Sequence, residues 1–111
     1  MTFTVKTRWG DYPNCILKQA QYTTNNHIAI SIVSLEEGPF SNLTVNLDDT
    51  KRYPENYGFV DTNNFPEAES LILQLGIGEE TGIIGGSGFC LYPLYKFDYD
   101  AIKKYTEKRA V

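Results

Sequence analysis

The sequence predicts one α+β domain over residues 1–111, in which an antiparallel meander sheet of four to six strands carries one internal helix and one C-terminal helix. Residues 2–48 alternate apolar and polar side chains in short runs, separated by loops of four or five residues that favour antiparallel neighbours. Residues 64–76 carry apolar side chains at helical spacing. The 111 residues match the length of one domain and suffice for one core.

The first half is predicted to form four strands. Apolar residues recur at every second position in the first, third and fourth runs, which places them on one face of a strand, whereas the second run alternates less cleanly. Turn-forming residues separate the runs at 10–14, 23–26 and 36–39. The apolar positions are Phe3, Val5 and Trp9 in the first run, Ile28, Ile30 and Ile32 in the third, and Leu43, Val45 and Leu47 in the fourth, while the second is the apolar-rich run from Cys15 to Tyr22.

The second half is predicted to begin with a polar loop over residues 48–57, followed by a short strand from Tyr57 to Val60. Asn64 is the predicted N-cap of the internal helix, and Gly76 follows its last apolar residue, where a left-handed residue often ends a helix. The apolar stripe of this helix is Ala68, Leu71, Ile72 and Leu75.

Residues 76–88 contain six glycines and are predicted to form an irregular loop. Residues 89–97 are aromatic and strand-like, and Pro93 within them indicates an edge position or a bulge. Asp98 is the predicted cap of the final helix, whose inner face is Ala101, Ile102 and Tyr105.

Composition excludes several classes of function. A pI near 4.9 argues against coating nucleic acid, so no direct nucleic-acid partner is expected. The chain has one histidine and two cysteines, too few for most histidine catalysis or structural zinc. We therefore expect no catalytic residues, no metal and no cofactor. No membrane span or signal peptide is recognised, and a cytoplasmic protein with two reduced cysteines is expected.

The charge is unevenly distributed. Residues 1–100 hold six basic and 13 acidic side chains, whereas the last eleven hold four basic and one acidic. Helix N-termini account for Glu67, Glu69, Asp98 and Asp100, because their dipoles favour carboxylates. Loop acids without such a role, joined by two tyrosines as anchors, form the predicted partner-binding set: Glu36, Glu37, Asp48, Asp49, Tyr53, Tyr57, Glu79 and Glu80.

Two other motifs each allow a functional and a structural interpretation. The glycines of 82–88 lack the following helix and lysine of a phosphate-binding loop, so a flexible loop is the preferred interpretation. Cys15 and Cys90 lack zinc or redox spacing and are predicted to be buried small apolar groups. A Cys–His pair with His27 is the nucleophilic alternative.

Residues 22–98 contain six strings that carry a resemblance to a family: Asn26-His27-Ile28-Ala29-Ile30, Glu37-Gly38-Pro39-Phe40, Leu43-Thr44-Val45-Asn46-Leu47, Asp61-Thr62-Asn63-Asn64, Ser87-Gly88-Phe89 and Tyr92-Pro93-Leu94-Tyr95-Lys96-Phe97-Asp98. The chain resembles the small bacterial proteins classed as domain of unknown function 4313. His27 stands where that family is expected to have glycine, so the preceding turn is expected to differ in shape.

The resemblance implies proteins of conjugative and other mobile elements, and it carries over no site residues. By analogy, small acidic proteins of such elements include anti-CRISPR inhibitors that occupy the basic channel of an RNA-guided nuclease. The resulting hypothesis is a non-enzymatic anti-defence inhibitor that binds a basic protein surface, such as a type II CRISPR effector nuclease, and blocks nucleic-acid loading. The alternatives are a small metal-dependent nucleic-acid-processing enzyme and a conjugation accessory protein that self-associates through its sheet edge.

Overall fold

A computed structural model describes residues 1–106 of the chain. Eight strands, two α-helices and one 3₁₀ helix follow one another within these residues. In chain order they are β1 (Phe3–Thr7), β2 (Gly10–Gln21), β3 (Ile28–Ser34), β4 (Gly38–Asn42), β5 (Thr44–Val45), the 3₁₀ helix (Asp48–Arg52), β6 (Tyr57–Val60), α1 (Ala68–Leu75), β7 (Gly78–Ser87), β8 (Cys90–Phe97) and α2 (Tyr99–Lys103).

The predicted α+β class is confirmed, and the strands divide between two antiparallel four-stranded sheets. The first sheet has the order β1-β2-β3-β4, the predicted meander. The second has the order β5-β6-β8-β7, so that β8 lies between β6 and β7. One main core joins β1–β3, α1, α2 and one face of the second sheet, while a smaller cluster of Leu47, Phe59, Tyr92 and Leu94 lies on the other face.

The predicted fourth strand is wrong in its position. β4 begins at Gly38, and only Thr44–Val45 of the Leu43–Leu47 run is strand, paired with β6 in the second sheet. Leu43 lies where the chain passes between the sheets: its N–H donates to Ile30 O, and its carbonyl accepts from Asp61 N. The alternation of this run arises because Leu43 and Leu47 are buried in different clusters.

The first predicted turn is also displaced. Residues 10–14 belong to β2, and the turn lies at Arg8 and Trp9. Trp9 is therefore 82% exposed instead of buried. Asn14, with a φ of 57°, accompanies an irregularity in the β1–β2 register that absorbs the turn-forming residues.

The glycine-rich segment is a strand, not the predicted loop. β7 spans its greater part, and β8 is central, so the edge interpretation of Pro93 is wrong. The bulge interpretation is confirmed, since the β7–β8 register shifts between Glu80 and Ile84, and Ile84 pairs with Pro93. Residue 85 must be glycine because the Phe59 ring lies close to it: a Cβ there would lie 2.5 Å from that ring.

Both predicted helices are present. The stripe of α1 is buried as predicted, and Gly76 ends the helix with a φ of 66°. Asn64 is not its cap: α1 begins four residues later, and the Asn64 N–H and side-chain amide donate to Asp61. Asp98 caps α2 by accepting from the N–H groups of Asp100 and Ala101, as predicted. Of the predicted basic tail, Glu107, Lys108 and Arg109 lie outside the described residues.

Tyr95 links the second sheet to α1 inside the main core. Its ring is buried, and its hydroxyl donates to Glu69 Oε2 at 2.5 Å. Burial, reinforced by the hydrogen bond to Glu69, raises the pKa of Tyr95 above the ordinary range of tyrosine. The folded protein therefore holds this proton more tightly than the unfolded chain does.

This difference predicts alkaline destabilisation. A raised folded-state pKa gives stability that is complete below about pH 10, the unfolded pKa, and is lost as pH rises further, at about 1.4 kcal/mol per pH unit per tyrosine. Tyr95→Phe should reduce this slope while costing about 1 kcal/mol at pH 7 through the lost hydrogen bond. Urea denaturation of both proteins between pH 8 and 11 measures the slopes, and equal slopes would contradict the prediction.

Candidate partner-binding surface

The outer face of the second sheet carries a row of three side chains. Tyr57 of β6 pairs with Lys96 of β8, and Lys96 pairs with Glu79 of β7. Directly opposite residues of neighbouring strands point to the same face. The row therefore places one tyrosine, one ammonium and one carboxylate side by side.

Tyr53 extends this row beyond the edge of β6. Its ring stacks on that of Tyr57 with centroids 6.3 Å apart, and it contacts Phe59 edge-on at 6.2 Å. Both tyrosines are half-buried, so each presents part of its ring to solvent. Phe59 belongs to the smaller cluster, which supports the two rings from below.

His27 fixes the position of Tyr53. The imidazole is 3% exposed, with Nε2 2.7 Å from Tyr53 O and Nδ1 3.1 Å from Asn25 O. A carbonyl oxygen only accepts hydrogen bonds, so each ring nitrogen that carries a proton donates to its carbonyl. His27 thus joins the start of β3 to the loop that carries the tyrosine stack.

An open cleft of about 590 Å³ lies beside this row, and we name it the acidic cleft. Asn56 forms its wall, because its backbone carbonyl accepts from Phe97 N and its side-chain amide donates to Phe97 O. Three acidic residues and one lysine line the cleft, together with Tyr99. Its principal lining side chains are Asn56, Glu79, Lys96, Asp98, Tyr99 and Asp100.

The pKa of Tyr99 reflects the negative charge around the acidic cleft. Its side chain is 40% exposed. Partial burial and then the negative charge of Glu55 raise the pKa of Tyr99 above its ordinary value. Glu55 therefore adds a further negative charge near the three carboxylates that line the opening.

The structure brings together part of the predicted set. Asp48 and Asp49 are exposed on the 3₁₀ helix that leads to Tyr53. Asp49 Oδ1 lies 3.6 Å from Arg52 Nε in a pair that is largely exposed and hence weak. Along with these two acids, the connected surface includes Tyr53, Tyr57 and Glu79.

Three predicted residues lie elsewhere. Glu36 and Glu37 occupy the β3–β4 turn, about 20 Å along β3 from Ile28, whose N–H donates to Glu55 O. Glu80 pairs with Tyr95 and so points to the opposite face of β7 from Glu79. Sheet pairing, not proximity in sequence, separates these acids from the rest.

Sequence reasoning missed Asp98, Asp100 and Tyr99. The sequence predicts a place at a helix N-terminus for both aspartates, and Asp98 does cap α2. They share a cleft lining with Glu79 because the pairing of Gly78 with Phe97 brings the start of β7 next to the end of β8. Predicting a strand instead of a loop for the glycine-rich segment would have placed these residues next to Glu79.

The two cysteines are free thiols. Cys15 is buried, and its Sγ donates to Tyr12 O at 3.3 Å, while burial raises the pKa of the thiol. Cys15 pairs with Ser34 at the end of β3 opposite to His27. The Cys–His pair with Cys15 therefore does not form, and Cys90 is half-buried at the start of β8.

Within residues 1–106, no group of three or more His, Cys, Asp and Glu side chains is placed to hold a metal ion. Over the same residues, neither helix has the length and apolarity needed to cross a membrane.

The fold and surface define a small mixed α+β protein with two antiparallel sheets and an acidic cleft at the edge of one of them. The model of a protein family described as a domain of unknown function, DUF4313, matches residues 16–110. The chain belongs to this family. No curated protein and no solved structure matches the chain.

Proposed function

We propose that the protein is a non-enzymatic binding protein that docks its acidic cleft and the Tyr53–Tyr57 stack on a basic surface of a partner protein. The observation that carries the proposal is the cleft itself, whose lining includes three acidic residues, Tyr99 and a single lysine. The row from Tyr57 to Glu79 joins this cleft to the tyrosine stack. The combined surface offers charge, aromatic area and a concave shape.

An arginine side chain of the partner is the best occupant of the acidic cleft. A planar guanidinium can donate two parallel hydrogen bonds to one carboxylate, and it also stacks on an aromatic ring such as Tyr99. The tyrosine stack supplies contact area at a low cost in side-chain entropy, as tyrosines do in many interfaces. Charge thus steers the approach, and the rings hold the complex.

The proposed partner is the basic channel of an RNA-guided nuclease, a type II CRISPR effector, with the protein acting in the cytoplasm as an anti-defence inhibitor encoded by a mobile element. Such a channel holds its heteroduplex by positive charge, so an acidic protein that occupies it blocks nucleic-acid loading. The acidity of residues 1–100 supports a basic partner surface, and the choice of this partner rests on analogy with small acidic anti-defence proteins.

The cleft is tested by charge reversal that leaves the helix cap intact. Glu79→Lys with Asp100→Lys should weaken binding to a type II effector by at least tenfold, because both carboxylates are lost and Asp98 still caps α2. Glu36→Lys with Glu37→Lys changes the net charge equally at the distant turn and should weaken binding less than threefold. Biolayer interferometry with the effector, with and without guide RNA, measures both affinities.

Salt adds a second measurement. The affinity of the unaltered protein should fall between 50 and 300 mM salt, since screening weakens exposed charge pairs, and the cleft variant should show a shallower dependence. If the two double variants lost affinity equally, net charge alone would explain the effect, and this result would contradict binding through the acidic cleft. Failure of the effector to bind at 50 mM salt would overturn the proposed partner.

A further inference from the structure

β7 is an open edge of the second sheet. It pairs with β8 on one side, and no strand lies against its other side among residues 1–106. Exposed edge strands present free backbone groups that can pair with another chain, and proteins commonly protect them with lysine or proline. β7 contains neither residue.

The distal half of the β7–β8 hairpin also has a bare apolar face. Ile84 and Leu91 lie on this face, through the pairs Ile84–Pro93 and Gly86–Leu91, and they are 59% and 69% exposed. Phe89 at the tip is fully exposed. The proximal half of the same face, with Tyr95 and Phe97, is buried in the main core, so the distal half is left without a cover.

The apolar distal half of the β7–β8 hairpin carries no charge. Residues 81–95 contain no charged side chain, and the acids of β7 stand before them. A second copy of this chain can therefore approach the distal half without placing like charges in contact. A highly basic or acidic partner would find no complementary charge there, whereas a second copy presents the same uncharged apolar surface.

We propose that two copies of the chain dimerise by antiparallel pairing of residues 83–87 of β7, centred on Gly85. Gly82 and Gly88 have positive φ values of 83° and 61° and mark the two ends of this extended segment. Gly85 is its midpoint. A two-fold axis there joins the second sheets of both copies into one continuous sheet of eight strands.

This register matches large residues with small ones. Pairing about Gly85 places Ile84 of each copy opposite Gly86 of the other, on the same bare face. The Ile84 side chain then fills the space that glycine leaves and extends the row towards Leu91 of the second copy. Gly85 itself faces Phe59, so the axis crosses the ladder at a position without a side chain on the bare face.

The area is sufficient for a weak dimer. The exposed parts of Ile84, Phe89 and Leu91 set an upper limit of roughly 500 Å² in each copy, or about 1,000 Å² in the pair, which is at the lower limit of specific interfaces. We therefore expect a dimer that dissociates on dilution through the micromolar range.

Sedimentation velocity from 1 to 500 µM tests the dimer. The unaltered protein should shift from monomer to dimer, and Ile84→Lys should raise the dissociation constant by at least tenfold, since it places two ammonium groups near the axis. Leu91→Lys should also raise it. Leu73→Lys is the matched control, because Leu73 is similarly exposed, at 66%, but lies on α1.

Disulfide trapping tests the register. In a Cys90→Ser background, Ile84→Cys protein mixed with Gly86→Cys protein should form a cross-linked dimer, because directly opposite residues have disulfide-compatible spacing. Each variant alone should form far less. Circular dichroism of every variant shows whether it is folded, and only folded variants are compared.

Three results would overturn the proposal. The first is a monomer at 500 µM, which would assign the bare face to a different partner. The second is a dimer that Leu73→Lys disrupts as much as Ile84→Lys does. The third is trapping that is no more efficient in the mixture than in the separate samples. None of these measurements involves the acidic cleft, so the dimer and the proposed function succeed or fail separately.

Discussion

Replacing Gly85 by valine is expected to lower the free energy of unfolding by about 3 kcal/mol. A Cβ at this position would lie 2.5 Å from Phe59 Cε1 and 2.7 Å from Cζ, far inside van der Waals contact. Phe59 is 1% exposed and is held between Tyr53 and the smaller cluster, so its ring has little room to move. Urea denaturation at a protein concentration of about 1 µM, where the monomer dominates, measures the loss.

Gly86 provides the matched control for this change. It follows Gly85 in the same strand, but a Cβ there would approach Leu91 Cδ2 at 3.5 Å, an ordinary contact on the exposed face. Gly86→Val should therefore change the free energy of unfolding by less than about 1 kcal/mol, since valine suits a strand. Combining Gly85→Val with Phe59→Leu should show favourable coupling. Equal losses at the two glycines would contradict the close approach.

Replacing His27 by leucine is expected to lower the free energy of unfolding by about 2–3 kcal/mol. Leucine fills much of the space of the imidazole but cannot donate to the carbonyl oxygens of Asn25 and Tyr53. A buried acceptor that loses its donor costs the desolvation of that group. Thermal and urea denaturation, followed by tyrosine fluorescence, measure the loss and the state of the Tyr53–Tyr57 stack.

Asn46 is the control for His27, because its side chain likewise has two polar partners. It accepts from Asn25 Nδ2 at 2.9 Å and donates to Thr24 Oγ1 at 3.0 Å, but on the exposed surface. Water can replace both partners there, so Asn46→Leu should cost less than about 1 kcal/mol. His27→Gln should recover part of the loss through one donated bond. A loss at Asn46 as large as that at His27 would contradict this account.

Periodicity predicted those parts of the fold in which one burial pattern matches one element. Ile28, Ile30 and Ile32 are buried on one face of β3, and Leu71, Ile72 and Leu75 on one face of α1, as their spacing indicates. The same argument misplaced the fourth strand, because Leu43 and Leu47 alternate while entering two different clusters. Alternation predicts which side chains are buried, but it does not indicate which sheet or cluster buries them.

The candidate site was less accessible from the sequence. β7 was missed because glycine weakens a strand on average, whereas Gly85 is needed here to admit the Phe59 ring. Without β7, nothing places Glu79 beside Lys96 and Asp98. Asp48, Asp49, Tyr53 and Tyr57 are close together in the chain, so the sequence alone predicts that they lie near one another. Residues that meet only through strand pairing leave no local signal.

The order of the second sheet has a consequence for the kinetics of folding. The first sheet is made of consecutive hairpins, whose short loops close quickly. β6, by contrast, pairs with β8 only after the whole α1–β7 segment has been positioned, since Tyr57 joins Lys96 across it. Closing that long loop costs conformational entropy, which is offset only once the contacts between β6 and β8 form. The meander should therefore acquire protection from hydrogen exchange first, and β6 should be protected only when the slowest step is complete.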